Sequence, residues 1–288
     1  FQAEDGIRDF CLSRGLGDVY KRQELFFRGV SGLFYAAMIL GSVVYDQLLF
    51  TIVIVVFSTL AIIEFQRLIR HKSYMPMALV LLLIYNFYRS KIDTVDLIYP
   101  LISVFIAHIF LIYWLFTKKT MTLNYLSKTL LSLFYLGMGC FFIISLPGSS
   151  ENYDFEKLIL FFVLIWTNNT FAYLTGRKLG KTLMFQRISP KKTWEGFFGG
   201  LIFSLAVALV FHHFSPESSV VFYLSVASIC SIWATVGDLI QSKFKRLVNV
   251  KDSGSLIPGH GGFFDRMDSV IFTAPWIYLL FNFKEYVS

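Results

Sequence analysis

Acidic and basic side chains gather near the carboxyl-terminal end of this chain, among otherwise apolar blocks. Asp238 follows Gly237 within an apolar stretch, and Asp265 and Asp268 open the next one. A carboxylate in hydrocarbon costs about 2.5–3.5 kcal/mol at the centre of a helix, so Asp238, read as lying in a helix's last turn, needs a cation beside it. Asp265 and Asp268 are three residues apart. At a helix start they share a face and can present oxygens together to Mg²⁺, a hard ion that takes carboxylates plus substrate phosphate. Lys245, Arg246, Lys251 and Arg266 add positive charge suited to a leaving pyrophosphate or a phosphate headgroup. Gly259, Gly261 and Gly262 surround His260, and backbone of that kind can approach a phosphate closely and nest it with N–H groups.

A second polar segment, Gly176 to Gly196, carries Arg177, Lys178, Lys181, Arg187, Lys191 and Lys192. Its Gly-Lys-Thr at 180–182 suggests a P-loop, but that motif needs glycine where Thr175 stands and a strand before it. What remains is a cationic, glycine-punctuated loop suited to polyphosphate or anionic headgroups, or equally to ordinary positive-inside charge. Cys11, Cys140 and Cys230 have no metal or disulfide spacing, and the histidines form no HExxH pair.

The elements that must position these residues are membrane helices. Hydrophobic residues make up 56% of the chain and charged residues 16%, with 32 Phe and a mean hydropathy of +0.61, which excludes an ordinary soluble globule. At ~20 residues per crossing of ~30 Å, the apolar blocks predict an all-α, polytopic integral membrane protein of about nine transmembrane helices. The spans fall near 25–44, 48–69, 76–88, 96–116, 127–146, 157–175, 196–214, 219–240 and 268–283. With that count, one side receives Lys21, Arg22, Arg70, Lys72, Lys118, Lys119 and both cationic segments described above, while the other receives Arg89, Lys91 and Lys284. The positive-inside rule then places the amino terminus in the cytoplasm. Residues 1–23 read as a non-native or disordered extension, 24–156 as a scaffold of helices, and 157–288 as a catalytic region with two cytoplasmic loops. Within the scaffold, Glu64 and His108 are expensive in hydrocarbon unless paired and so are functional candidates; an intrahelical pair with Arg67 explains Glu64 equally well, and His108 reads rather as a satisfied polar contact.

The run from Ser242 to Asp268 fits S-x-x-K-R-x(4)-K-D-x-G-x(3)-P-G-H-G-G-x-x-D-R-x-D at every fixed position. This closely resembles the signature of the CDP-diacylglycerol synthase (phosphatidate cytidylyltransferase) family. Ser189 to Gly196 and Trp166 to Lys181 look like that family's other elements, in the expected order. The resemblance covers roughly 166–269, with Arg28 to Gly32 a weaker echo. It implies the reaction of CTP with phosphatidic acid to give CDP-diacylglycerol and pyrophosphate in the cytoplasmic (inner) membrane, as part of phospholipid biosynthesis. It also implies Mg²⁺, optionally with K⁺, held by Asp238 and Asp265 with Asp268 supporting. Lys245, Arg246 and Lys251 would contact phosphates, and Lys191 and Lys192 would serve CTP or pyrophosphate. Ser242, Asp252, Gly261, Gly262 and Arg266 would complete the substrate contacts, and His260 would donate to phosphate, shuttle a proton or act only through its flexible neighbours. One departure stands out: where the family usually has Asn-Asp-Thr, this chain has Asn168-Asn169-Thr170, so an amide, Asn169, replaces an acid. The bilayer is the expected partner and nucleic acid is not, while a homodimer is compatible with the resemblance. Two other readings stay open: a CTP-dependent lipid kinase or related cytidylyltransferase, and a polytopic transporter.

Overall fold

The computed structural model describes residues 29–90, 96–118, 121, 123–148, 153–216, 218–254 and 261–287. The expected extension at 1–23, and Pro258, Gly259 and His260, lie outside the described residues. Among those described, the chain forms nine helices and one small hairpin. The helices are α1 (Gly29–Tyr45), α2 (Gln47–Leu68), α3 (Met75–Ser90), α4 (Ile98–Phe116), α5 (Tyr125–Ser145), α6 (Phe155–Leu179), α7 (Trp194–Phe214), α8 (Val220–Leu247) and α9 (Phe264–Val287). The strands β1 (Leu183–Phe185) and β2 (Ser189–Thr193) pair antiparallel between α6 and α7. Helices α2, α4, α5, α6, α7 and α8 are long and apolar enough to cross a membrane, while α1 and α3 are shorter apolar helices. The chain is thus an all-helical membrane protein apart from the hairpin.

Local chemistry explains where the helices begin. Asp46 accepts from Leu48 and Leu49 N–H, Asp154 from Glu156 and Lys157, Thr193 from Gly196, and Ser219 from Phe222, so each of these starts has one or two of its orphan donors engaged by a side chain. Within α5 the residues Ser132–Gly137 form a π turn that packs on α3. Apolar side chains such as Leu33, Ile106, Ile109, Ile202 and Val221 are exposed, as a lipid-facing surface requires.

The core centres on α9, which packs against α8, α5 and α2. Phe65 of α2 meets the rings of Tyr135, Phe244 and Phe264 at centroid distances of 5.9, 5.1 and 5.4 Å, joining four helices directly beneath the polar loops. His108 is fully buried, accepts at Nδ1 from Trp276 Nε1 at 3.1 Å and stacks on Phe272, while its Nε2 has no hydrogen-bond partner among the described residues, so the polar contact read from the sequence is only half satisfied. Helices α6 and α7 approach closely at Gly196 and Gly200, where an added Cβ would stand 2.7 Å from the carbonyls of Ala172 and Asn168. These glycines therefore serve helix packing.

Several helix limits differ by four residues or more from the sequence expectation, among them the end of α9, which runs to Val287 rather than 283. Helix α6 continues to Leu179, α8 continues to Leu247, and α9 begins at Phe264. Asp238 is consequently not in the last turn of its helix. Nine further helical residues follow it, roughly 14 Å at 1.5 Å per residue. Polarity does not end α8 because its polar residues find partners inside the protein. Buried Lys243 donates to the carbonyl oxygens of Trp114, Leu115 and Thr117 at the end of α4, and lies over the Trp114 ring.

Candidate active site

The carboxyl-terminal ends of α6 and α8, the start of α9 and the hairpin enclose a cavity of about 780 Å³. Helical spacing decides which side chains reach it. Asp238, Gln241 and Lys245 follow one face of α8, and Asp265, Asp268 and Ser269 follow one face of α9. Asn169, Ala172 and Tyr173 do the same on α6, while β2 contributes Pro190, Lys191, Lys192 and Thr193. Asp252 and Arg266 complete the polar wall.

Two acid–lysine pairs organise the charge. Lys192 Nζ lies 2.6 Å from Asp238 Oδ2, reaching from the hairpin to α8, and Ser242 Oγ donates to Asp238 Oδ1 at 3.3 Å. Lys245 Nζ lies 2.8 Å from Asp265 Oδ1, which also accepts from Gln241 Nε2 at 2.9 Å. The other oxygen of Asp265 accepts from Ser253 N at 2.8 Å, Ser253 Oγ at 3.0 Å and Gly262 N at 3.1 Å. Asp268, buried beside them, accepts from its neighbour Ser269 N at 2.5 Å. Asn169 Nδ2 donates to Ser269 Oγ at 3.3 Å, so the amide in the acid's place touches α9 next to Asp268.

Of the residues singled out from sequence, Asn169, Lys191, Lys192, Asp238, Lys245, Asp252, Asp265, Arg266 and Asp268 share this one cavity. Ser242 stands behind Asp238. Arg246 turns toward the hairpin and loop, donating to Ile188 O and Val250 O at 3.2 Å each. Lys251 is exposed. Gly261 adopts φ +84, a conformation glycine takes without strain, and Gly262 gives its N–H to Asp265, an acceptor within the protein. His260 lies outside the described residues.

Sequence reasoning passed over Gln241, Asn168 and Tyr173, although Gln241 sits three residues after Asp238 and that spacing carries the signal. Of the two readings it left open for Glu64, the pair with Arg67 does not form: the carboxylate turns inward to Ser253 and Phe264, and Arg67 is exposed.

Among the described residues no group of three or more His, Cys, Asp or Glu side chains is arranged to cage a metal. Mg²⁺ does not need such a cage, since one or two carboxylates plus substrate phosphates and water hold it in nucleotide enzymes. Asp238 and Asp268 line the cavity with few donors on their oxygens and fit that manner of binding, whereas both oxygens of Asp265 already accept from Lys245, Gln241, Ser253 and Gly262, so Asp265 meets a cation only where Lys245 gives way.

Residues 26–284 match the Cytidylyltransferase family. The chain is 32% identical over 259 residues to the phosphatidate cytidylyltransferase of Bacillus subtilis (strain 168), covering 88% of this chain and 96% of that one. It is 37% identical over 175 residues to the protein of that name from Staphylococcus aureus (strain COL), covering 60% and 66%. The Staphylococcus saprophyticus protein gives the same figures, 37% over 175 residues.

Proposed function

The chain belongs to the cytidylyltransferase family, and on that premise we propose that it transfers the cytidylyl group of CTP to phosphatidic acid, giving CDP-diacylglycerol and pyrophosphate. It is a nucleotidyltransferase of phospholipid biosynthesis, working in a membrane. A phosphatidate oxygen forms the new bond to the α-phosphorus of CTP as the bond to the β-phosphate bridge breaks, and the electron pair leaves with pyrophosphate. Such transfers depend mainly on positioning and charge stabilisation, since the protein has little covalent chemistry to perform.

The observation that carries this reading is the meeting of both acid–lysine pairs in one cavity of nucleotide size. Lys191, Lys192, Lys245 and Arg266 offset phosphate charge from two sides, and Arg177 lines the same space. Asp238 and Asp265, with Asp268 supporting, would hold Mg²⁺, beside a monovalent cation such as K⁺. When bound, Mg²⁺ supplies positive charge against the phosphate oxygens. The depth of Asp238 along α8 suits a headgroup drawn in from the leaflet while its acyl chains stay in lipid, which they leave only at ~0.8 kcal/mol per CH₂.

The reading further includes nine membrane crossings, an amino terminus in the cytoplasm, a cytoplasmic-membrane location and pairing of two copies. Positive charge on the hairpin and on the loop after α8 supports the sidedness. A transporter explains isolated intramembrane acids but not two acids each paired to a lysine around one cavity.

Incubation in liposomes with phosphatidate, Mg²⁺ and labelled CTP tests the reaction. Label from the α-phosphate should enter lipid. Entry of γ-label would indicate a kinase, and entry of neither would contradict the proposal.

A further inference from the structure

Glu64 belongs to α2, in the half of the chain that the sequence presents as scaffold, and the chemistry above makes no use of it. The side chain is only 2% exposed. Its Oε2 accepts a hydrogen bond from the Ser253 hydroxyl at 3.0 Å and another from Phe264 N–H at 3.0 Å, across 189 and 200 residues of sequence. Phe264 is the first residue of α9, so its N–H is one of the donors a helix start leaves without an internal partner. Glu64 satisfies it from a different helix and sets its negative charge against the positive end of α9.

The surroundings are fitted to this carboxylate. A Cβ at Gly254 would stand 2.6 Å from Oε1, and one at Gly262 would collide with Oε2 and with Ser253 Oγ. Oε1 itself has no hydrogen-bond partner among the described residues. Asp265 grips the same loop from the other side, through Ser253 N, Ser253 Oγ and Gly262 N. The Ser253 hydroxyl is therefore 3.0 Å from both carboxylates, although it has a single hydrogen to give.

We infer that Glu64 is a positioning residue for cytidylyl transfer. Through Phe264 and Ser253 it fixes where α9 begins, and so how Asp265 faces Lys245 and the cavity. The inference rests on the function proposed above.

Because both donors converge on one oxygen, the amide oxygen of a Glu64→Gln side chain can receive them, whereas Glu64→Ala removes the acceptor of Phe264 N–H and leaves the Ser253 hydroxyl to Asp265 alone. Glu64→Gln should keep kcat within about threefold. Glu64→Ala should lower kcat on the order of a hundredfold, as for a catalytic group displaced by about 1 Å, with KM for phosphatidate little changed. Hydrogen exchange of the peptide containing Phe264, measured in detergent without substrate, gives a readout independent of turnover. It should match wild type in Glu64→Gln and be faster in Glu64→Ala. If Glu64→Ala fails to insert, Ser253→Ala carries the test, with kcat reduced about tenfold, the size of a hydrogen bond to a charged group, and the same faster exchange. Wild-type kcat and exchange in Glu64→Ala or Ser253→Ala would overturn the inference, and so would a Glu64→Gln variant as impaired as Glu64→Ala. A wild-type protein that leaves α-label out of lipid would instead refute the proposed reaction, while the exchange comparison would still report on the loop.

Discussion

The two acid–lysine pairs that face each other across the cavity are built differently. Lys192–Asp238 joins a hairpin to a helix, and its side chains remain 25% and 36% exposed. Its supporting contacts are long: Lys192 Nζ to Thr235 O at 3.5 Å and Ser242 Oγ to Asp238 at 3.3 Å. Lys245–Asp265 is nearly enclosed, at 12% and 9%, and Gln241, Ser253 and Gly262 also donate to that carboxylate. An exposed pair contributes about 0–1 kcal/mol and releases its partners easily. Breaking a buried pair by removing one partner costs about 3–5 kcal/mol. The first pair can thus exchange partners readily in the proposed reaction, while the second also holds the fold together and must loosen a buried contact before either member meets a ligand.

That contrast yields an order of effects. Asp265→Asn should be the most damaging: activity falls by a factor on the order of 10³, as when a central electrostatic group is lost, and thermal stability falls with it because Lys245 loses its buried partner. Asp238→Asn should reduce turnover comparably but leave the melting temperature near wild type. Equal destabilisation by the two substitutions would erase the distinction between the pairs. A smaller effect is expected for Lys192→Ala, which should raise KM for CTP about tenfold, roughly 1.4 kcal/mol, with little change in stability; titration of CTP in liposomes measures it. Smallest of all, Asn169→Asp should lower the Mg²⁺ concentration for half-maximal activity about threefold, within the 0.5–1.5 kcal/mol of one hydrogen bond. The added charge would lie beside Ser269 and Asp268. A rise in that concentration would mean that the amide suits this cavity better than an acid.

Much of the molecule was legible in its sequence, for physical reasons that also mark where legibility ends. Apolar blocks of bilayer length reveal membrane helices directly, and the three-residue spacing of Asp265 and Asp268 places both on the cavity face of α9. The hairpin was not visible. Ser189-Pro190-Lys191-Lys192-Thr193 has no alternating pattern, and it is held as a strand by pairing with Leu183–Phe185 and by Arg246 on Ile188 O. The end of α8 was misplaced because its polar residues find partners inside the protein, as Lys243 does on α4, whereas α6 runs on through exposed Arg177 and Lys178. The role of Glu64 was hidden for a different reason. Its nearest oppositely charged neighbour in sequence, Arg67, is exposed, and its partners lie in a loop that only the folded bundle brings near.

The central claim is that Asp238 and Asp265, from neighbouring helices, serve one cytidylyl-transfer site. The most direct test reconstitutes wild type, Asp238→Asn and Asp265→Asn in phosphatidate liposomes with Mg²⁺ and α-labelled CTP, and follows label into lipid together with pyrophosphate release. Wild type should produce both in equal amounts, and each variant should produce neither above background while still inserting. Wild-type rates from either inserted variant would contradict the account.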